Sequence, residues 1–180
     1  MHVTPKTLVL WAAITLPAAA TAAGLPDPAL TPGAINPAVT PANMQRTICV
    51  PGYSRSIRPP EAYTEWLKGK GIRAYGYADR RWRDYEEDHL VPLSWGGSPR
   101  SQKNLWPEPR RGTWSAGRKD RLEYAGWRMI CLGRIPLREA QREIATNWEA
   151  MYRRYRAEIR EYRWHSRHGR RGYSYRYRSW

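Results

Sequence analysis

Apolar positions repeat at helical spacing in two long stretches of the chain. Between residues 118 and 132, Leu122, Ala125 and Met129 recur at intervals of three and four, and Gly133 supplies a stop. After Ile135-Pro136-Leu137, the positions Ala140, Ile144, Trp148 and Met151 form a second stripe, which fades beyond Met151. Both stripes read as core faces rather than as a cofactor box. A shorter helix is predicted over 61–68, with Pro59-Pro60 at its start and Gly69 and Gly71 to end it. Tyr75 and Tyr77, alternating with smaller residues, predict a strand over 72–78.

The two ends read differently. Residues 1–23 have Lys6, an apolar run from Thr7 to Leu16 and small residues from Ala18 to Ala23, the pattern of a secretory signal cleaved after Ala22 or Ala23. The run is short and broken by Pro17, which disfavours a membrane span, although an uncleaved anchor is the alternative. No other segment is apolar enough to span, so the expectation is an exported monomer, periplasmic or extracellular. Residues 24–46 hold Pro26, Pro28, Pro32, Pro37 and Pro41 and read as a largely extended linker. They could instead wrap the domain through Ile35 and Val39. The folded domain is placed at 47–155. The basic tail, 156–180, first continues the helix and then, from about His165, reads as disordered.

Composition narrows the partners. The chain has 180 residues and a formal net charge of +15, which suits one domain with appendages and a polyanionic partner or surface. DNA is favoured, but charge alone does not separate it from RNA, lipopolysaccharide or an anionic membrane. Ten Trp and twelve Tyr with no Phe fit a small core beside a wet surface. From Tyr152 to Trp180 there are ten Arg against two Glu, interleaved with Tyr and Trp. That mixture serves as a nucleic-acid tether, with a solubility tail as the plainer alternative. Cys49 and Cys131 are the only cysteines, and export favours their pairing over two separate buried thiols.

Candidate chemistry concentrates in Tyr85-Glu86-Glu87-Asp88-His89-Leu90-Val91-Pro92-Leu93-Ser94-Trp95-Gly96-Gly97, then Asn104-Leu105-Trp106-Pro107, then Lys119-Asp120-Arg121-Leu122-Glu123. His2 lies in the leader and His165 and His168 in the tail, which leaves His89 as the one histidine of the expected domain. A carboxylate such as Asp88 is a hard oxygen ligand suited to Mg²⁺ or Mn²⁺. A neutral imidazole beside it can take a proton from water near neutral pH. Neighbours within a strand point to opposite faces, so Asp88 and His89 can share a site only where the strand ends or bends. Pro92 and Gly96-Gly97 make that ending plausible.

These blocks, in this order, resemble the HNH endonuclease family, closest to its exported bacterial members. The likeness is strongest from Tyr85 to Glu123. It runs more loosely over 47–155, through Cys49-Val50-Pro51-Gly52-Tyr53 and Arg58-Pro59-Pro60. The resemblance implies an α+β chain with a ββα-metal core, a hairpin and a helix clamping one divalent ion, to which further C-terminal helices are added. It implies Asp88 as metal ligand, His89 as general base and Asn104 as the residue that holds the loop and orients the histidine. The family's usual helix histidine is missing. Asp120, then Glu123, are the candidate replacements as ligands, for Mg²⁺ or Mn²⁺ first and Zn²⁺ second. Lys119 is a candidate phosphate contact. Alternatively, these three residues are only a charged helix turn. Arg80, Arg81, Arg83, Arg110, Arg111 and Arg118 are the expected nucleic-acid contacts, with a solvated turn as the alternative for the first three. The implied activity is DNA cleavage leaving 5′-phosphate and 3′-hydroxyl ends, with RNA a further substrate. The competing expectations are an HNH-like module that binds nucleic acid or an anionic surface without cutting, and an antimicrobial surface binder driven by the tail.

Overall fold

The apolar stripes become the faces on which the chain packs. A computed structural model describes residues 24–168, with side chains to Tyr162, and gives a mixed α and β architecture. Helices α1 (Tyr53–Ile57) and α2 (Glu61–Ala74) precede strand β1 (Tyr85–His89). Strand β2 (Leu105–Pro109) pairs with β1 antiparallel, in a register of Glu86 with Glu108, Asp88 with Trp106 and His89 with Leu105. Helices α3 (Ala116–Cys131), α4 (Leu137–Arg154) and α5 (Arg156–His168) follow. Alternation puts Glu86, Asp88, Trp106 and Glu108 on one face of the hairpin. Helix α2 packs on the hairpin, and α3 packs against α4, α5 and a single 3₁₀ turn at Leu93–Trp95.

The predicted stripes form the core. Leu122 and Ala125 of α3 and Ala140, Ile144, Trp148 and Met151 of α4 are all fully buried, together with Trp95 and Trp106 from the hairpin and its loop. Helix α4 is interrupted at Asn147, whose backbone is extended. The Asn147 Oδ1 accepts from the Ala150 amide at 2.8 Å and so caps the restarted helix.

Three boundaries differ from those expected. Helix α2 runs past Gly69 and Gly71 to Ala74, so residues 72–78 form a helix end and a turn rather than a strand. The glycines serve close packing, not termination. A Cβ at Gly69 would stand 2.6 Å from the Trp82 ring, and one at Gly71 would stand 2.8 Å from Pro107. Tyr75 and Tyr77 pack from the turn, Tyr75 donating to Thr31 Oγ1 at 2.6 Å and Tyr77 stacking on Tyr85 at 5.0 Å.

Residues 24–46 are not a free linker but wrap the domain, the alternative reading of that stretch. Val39 is fully buried, Ile35 bridges to Gly97, and Trp148 Nε1 donates to Gly24 O at 2.7 Å. Prolines leave enough donors for this. The amides of Gly33, Asn36 and Ser98 bond to Lys103 O, Gly96 O and Ala34 O.

The folded part also extends beyond Tyr155. Ile159 and Tyr162 of α5 join the core, and Arg128 and Arg134 lie over the Tyr162 ring. The expected leader, and the tail from residue 169, lie outside the described residues. Among the described residues no helix is long and apolar enough to cross a membrane.

Cys49 and Cys131 form a disulfide, joining the segment before α1 to the end of α3 across a sequence separation of 82. The chain-entropy effect of so long a loop is about 4 to 5 kcal/mol. Replacing both cysteines by serine is expected to lower unfolding free energy by up to that amount, measured by urea titration beside the oxidised parent.

Candidate active site

Strand β1 ends at His89, and this ending satisfies the condition set by alternation. Asp88 and His89 line one polar pocket, together with Glu86, Arg58, Pro92, Leu93, Asp120 and Glu123. The hairpin contributes Glu86, Asp88 and His89. Asp120 and Glu123 come from the first turns of α3, where a separation of three residues places both on one face.

A buried ammonium joins these two elements. Lys119 is fully buried, and its Nζ donates to Asp88 Oδ2 at 2.5 Å, to Glu123 Oε1 at 2.5 Å and to His89 O at 2.9 Å. All of its donors are thereby used. Burial works against its charge, but the carboxylates of Asp88 first and then Glu123 outweigh that and hold the amine protonated. Burial likewise opposes ionisation of Asp88, and Lys119 outweighs it, keeping that carboxyl below its ordinary range. The expectation that Lys119 contacts phosphate is therefore corrected: its head group faces inward and has no donor left for a substrate.

Glu108 is a participant that sequence reasoning passed over. It is fully buried on the same hairpin face as Asp88, and neither of its carboxyl oxygens receives a hydrogen bond. Burial first, and then the charges of Asp88 and Glu123, push its pKa well above the carboxylate range. That direction favours its protonated form, in which the carboxyl can donate to Asp88. Its signal lay in β2 alternation, which sets Glu108 beside Trp106 once the strand is recognised. Arg58 was noted only as part of a loose motif.

His89 is 3% exposed, and its Nε2 lies 3.0 Å from Pro99 O. Burial lowers its pKa to about 4, against the opposing pull of Asp88 and Pro99. The ring is therefore neutral near pH 7. With Nε2–H donated to Pro99, Nδ1 is the basic nitrogen. Asn104 braces this loop. Its Oδ1 accepts from Val91 N at 2.9 Å, and its Nδ2 donates to Val91 O and Ser98 O at 3.0 and 3.1 Å. Its backbone oxygen accepts from Leu90 N, next to His89. Gly97 makes the turn possible, because a Cβ there would stand 1.8 Å from Val91 O.

Carboxyl groups crowd the pocket. Burial, and then neighbouring carboxylates, push Asp120 up to about 8 and Glu86 to about 7, with Arg110 pulling Glu86 the other way. Carboxylate oxygens with one imidazole are a donor set suited to a hard divalent cation, which would relieve that repulsion. Among the described residues, however, no three His, Cys, Asp or Glu side chains already converge as a metal-holding group.

The expected arginine contacts do not gather at this pocket. Arg110 pairs with Glu86 at 2.9 Å, while Arg81 and Arg111 pair with Asp84 at 2.9 and 3.4 Å. Arg81 and Arg111 line a separate cavity of about 160 Å³ beside Tyr77 and Tyr85, at the other end of the hairpin. Arg80 and Arg83 are exposed. Arg118 lies over the Trp114 and Tyr152 rings at 5.1 and 5.4 Å. Arg58 is the arginine that lines the pocket.

Comparison with protein-family models, with curated proteins and with solved structures found no match to this chain.

Lys119→Met removes the buried ammonium that Asp88 and Glu123 share. It is expected to cost about 3 to 5 kcal/mol of stability, read as a lower denaturant midpoint at unchanged slope.

Proposed function

We propose that the protein is an exported, divalent-metal-dependent endonuclease of HNH type, acting on DNA. One observation carries the reading: a neutral histidine and an acid at the end of a strand line one pocket with two acids from the helix that follows the hairpin. The order strand, strand, helix is that of the ββα-metal core implied by the resemblance, and the three sequence blocks supply its three elements. Asp88 and Asp120 would hold the ion, with Glu123 beside them and already tied to Lys119. A bound divalent cation supplies neutralisation of the charge that builds on the phosphate.

The other steps belong to the chain. Nδ1 of His89 takes a proton from water, and the water oxygen forms a bond to phosphorus as the bond to the 3′ oxygen breaks. Donation from Nε2 to Pro99 O fixes the ring so that Nδ1 remains the basic atom. Asn104 fixes the loop behind it. Lys119 sets the separation of Asp88 and Glu123 and stabilises both as anions.

A specific observation favours a second reading, an HNH-like module that binds without cutting. Lys119 already occupies the position between Asp88 and Glu123 where a cation would bridge strand and helix.

Plasmid nicking separates the two. Oxidised, metal-stripped protein lacking residues 1–23 is expected to cut with Mg²⁺ or Mn²⁺ and not with chelator. His89→Ala should reduce the rate by about 10²- to 10⁴-fold, the usual contribution of a general base. Retarded migration of uncut plasmid with every metal tried would decide for the binding module.

A further inference from the structure

Helix α2 has a second face that the pocket does not use. Tyr63, Trp66 and Lys70 recur at intervals of three and four and so form one stripe along it. Trp66 is 50% exposed, a large apolar ring left in water. Cations sit on these rings: Lys70 Nζ is 3.7 Å from the Trp66 centroid, and the Arg100 guanidinium is 5.6 Å from that of Tyr63. The Tyr63 and Trp66 rings are 6.3 Å apart. One turn on, Trp82, 47% exposed, lies against Gly69 with Lys68 over its ring at 5.6 Å. Of the acids on this helix, Glu65 is bound by Lys68 at 2.6 Å and Glu61 lies in the first turn.

The stripe begins at the loop that holds the histidine. Tyr63 Oη donates to Arg100 O at 2.7 Å, and the preceding carbonyl, Pro99 O, is the acceptor for His89 Nε2. A half-buried ring and an exposed one, flanked by cations, thus adjoin the loop that holds His89.

We infer that this face of α2, Tyr63, Trp66 and Lys70 with Arg100, is a track for single-stranded nucleic acid leading into the His89 pocket. In naming nucleic acid it rests on the endonuclease reading, but binding is separable from cutting. Unpaired bases offer open faces to stack on Trp66 and Tyr63, whereas duplex stacking hides those faces. Lys70 and Arg100 stand where each ring's neighbouring phosphate would be neutralised.

The test is fluorescence anisotropy with labelled oligothymidine and with the same strand paired to oligoadenosine, in chelator so that no cleavage occurs. Trp66→Leu is expected to weaken single-strand binding by about tenfold, the loss expected of one stacked base. Trp66→Phe should recover most of that loss, and duplex binding should not change. Lys70→Glu is a second exposed variant, expected to weaken the single strand more at low salt than at high salt. Photocrosslinking with 5-bromouracil in the strand should label the peptide containing Trp66.

Single-strand affinity unchanged in Trp66→Leu, equal losses for strand and duplex, or crosslinks confined to the C-terminal tail would each overturn the inference. A protein that binds as expected but cuts with no metal refutes the endonuclease reading and leaves the track. A protein that cuts while Trp66→Leu binds normally refutes the track alone.

Discussion

The candidate site depends on one buried charge. Lys119 has every donor engaged between the last residues of β1 and the second turn of α3. An ammonium taken out of water is tolerable only while its anions stay in place. The contact therefore fixes strand to helix and sets where Asp88 and Glu123 stand. Asp120, the next residue along α3, is directed into the same pocket as a consequence. The one cation at the centre does not balance the carboxyl groups around it, and burial first, then that surplus, raises Asp120 and Glu86.

The loop between the strands is held from both sides. Asn104 bonds it from within, and the proline-rich segment bonds it from outside through Gly33, Ala34 and Asn36. His89 sits between these supports, its ring tied to Pro99. The burial that holds the loop also disfavours the imidazolium, so the same packing keeps the ring neutral. The disulfide secures the other end of α3 to the segment before α1.

Besides Lys119 at the centre and Arg58 in the lining, the cations lie around the pocket. Arg81, Arg110 and Arg111 pair with acids of the hairpin, and Arg118 lies over rings of the helical side. The aromatic row of α2 meets the histidine loop at Arg100.

Local order was legible in the sequence. Leu122, Ala125, Ala140, Ile144 and Trp148 repeat at helical spacing, and such a stripe has to face a core whatever the rest of the chain does. The end of β1 at the Asp-His pair was legible too, because Pro and Gly-Gly punctuate the backbone locally. Only the tertiary structure decided the role of Lys119, the burial of Glu108 and the docking of residues 24–46. Each depends on groups far apart in the chain, on what surrounds a charge and which backbone donors are left to satisfy, and sequence spacing carries no record of those. Gly69 and Gly71 illustrate the difference: their spacing signalled a helix end, while Trp82 and Pro107, packed close against them, needed the absence of a side chain.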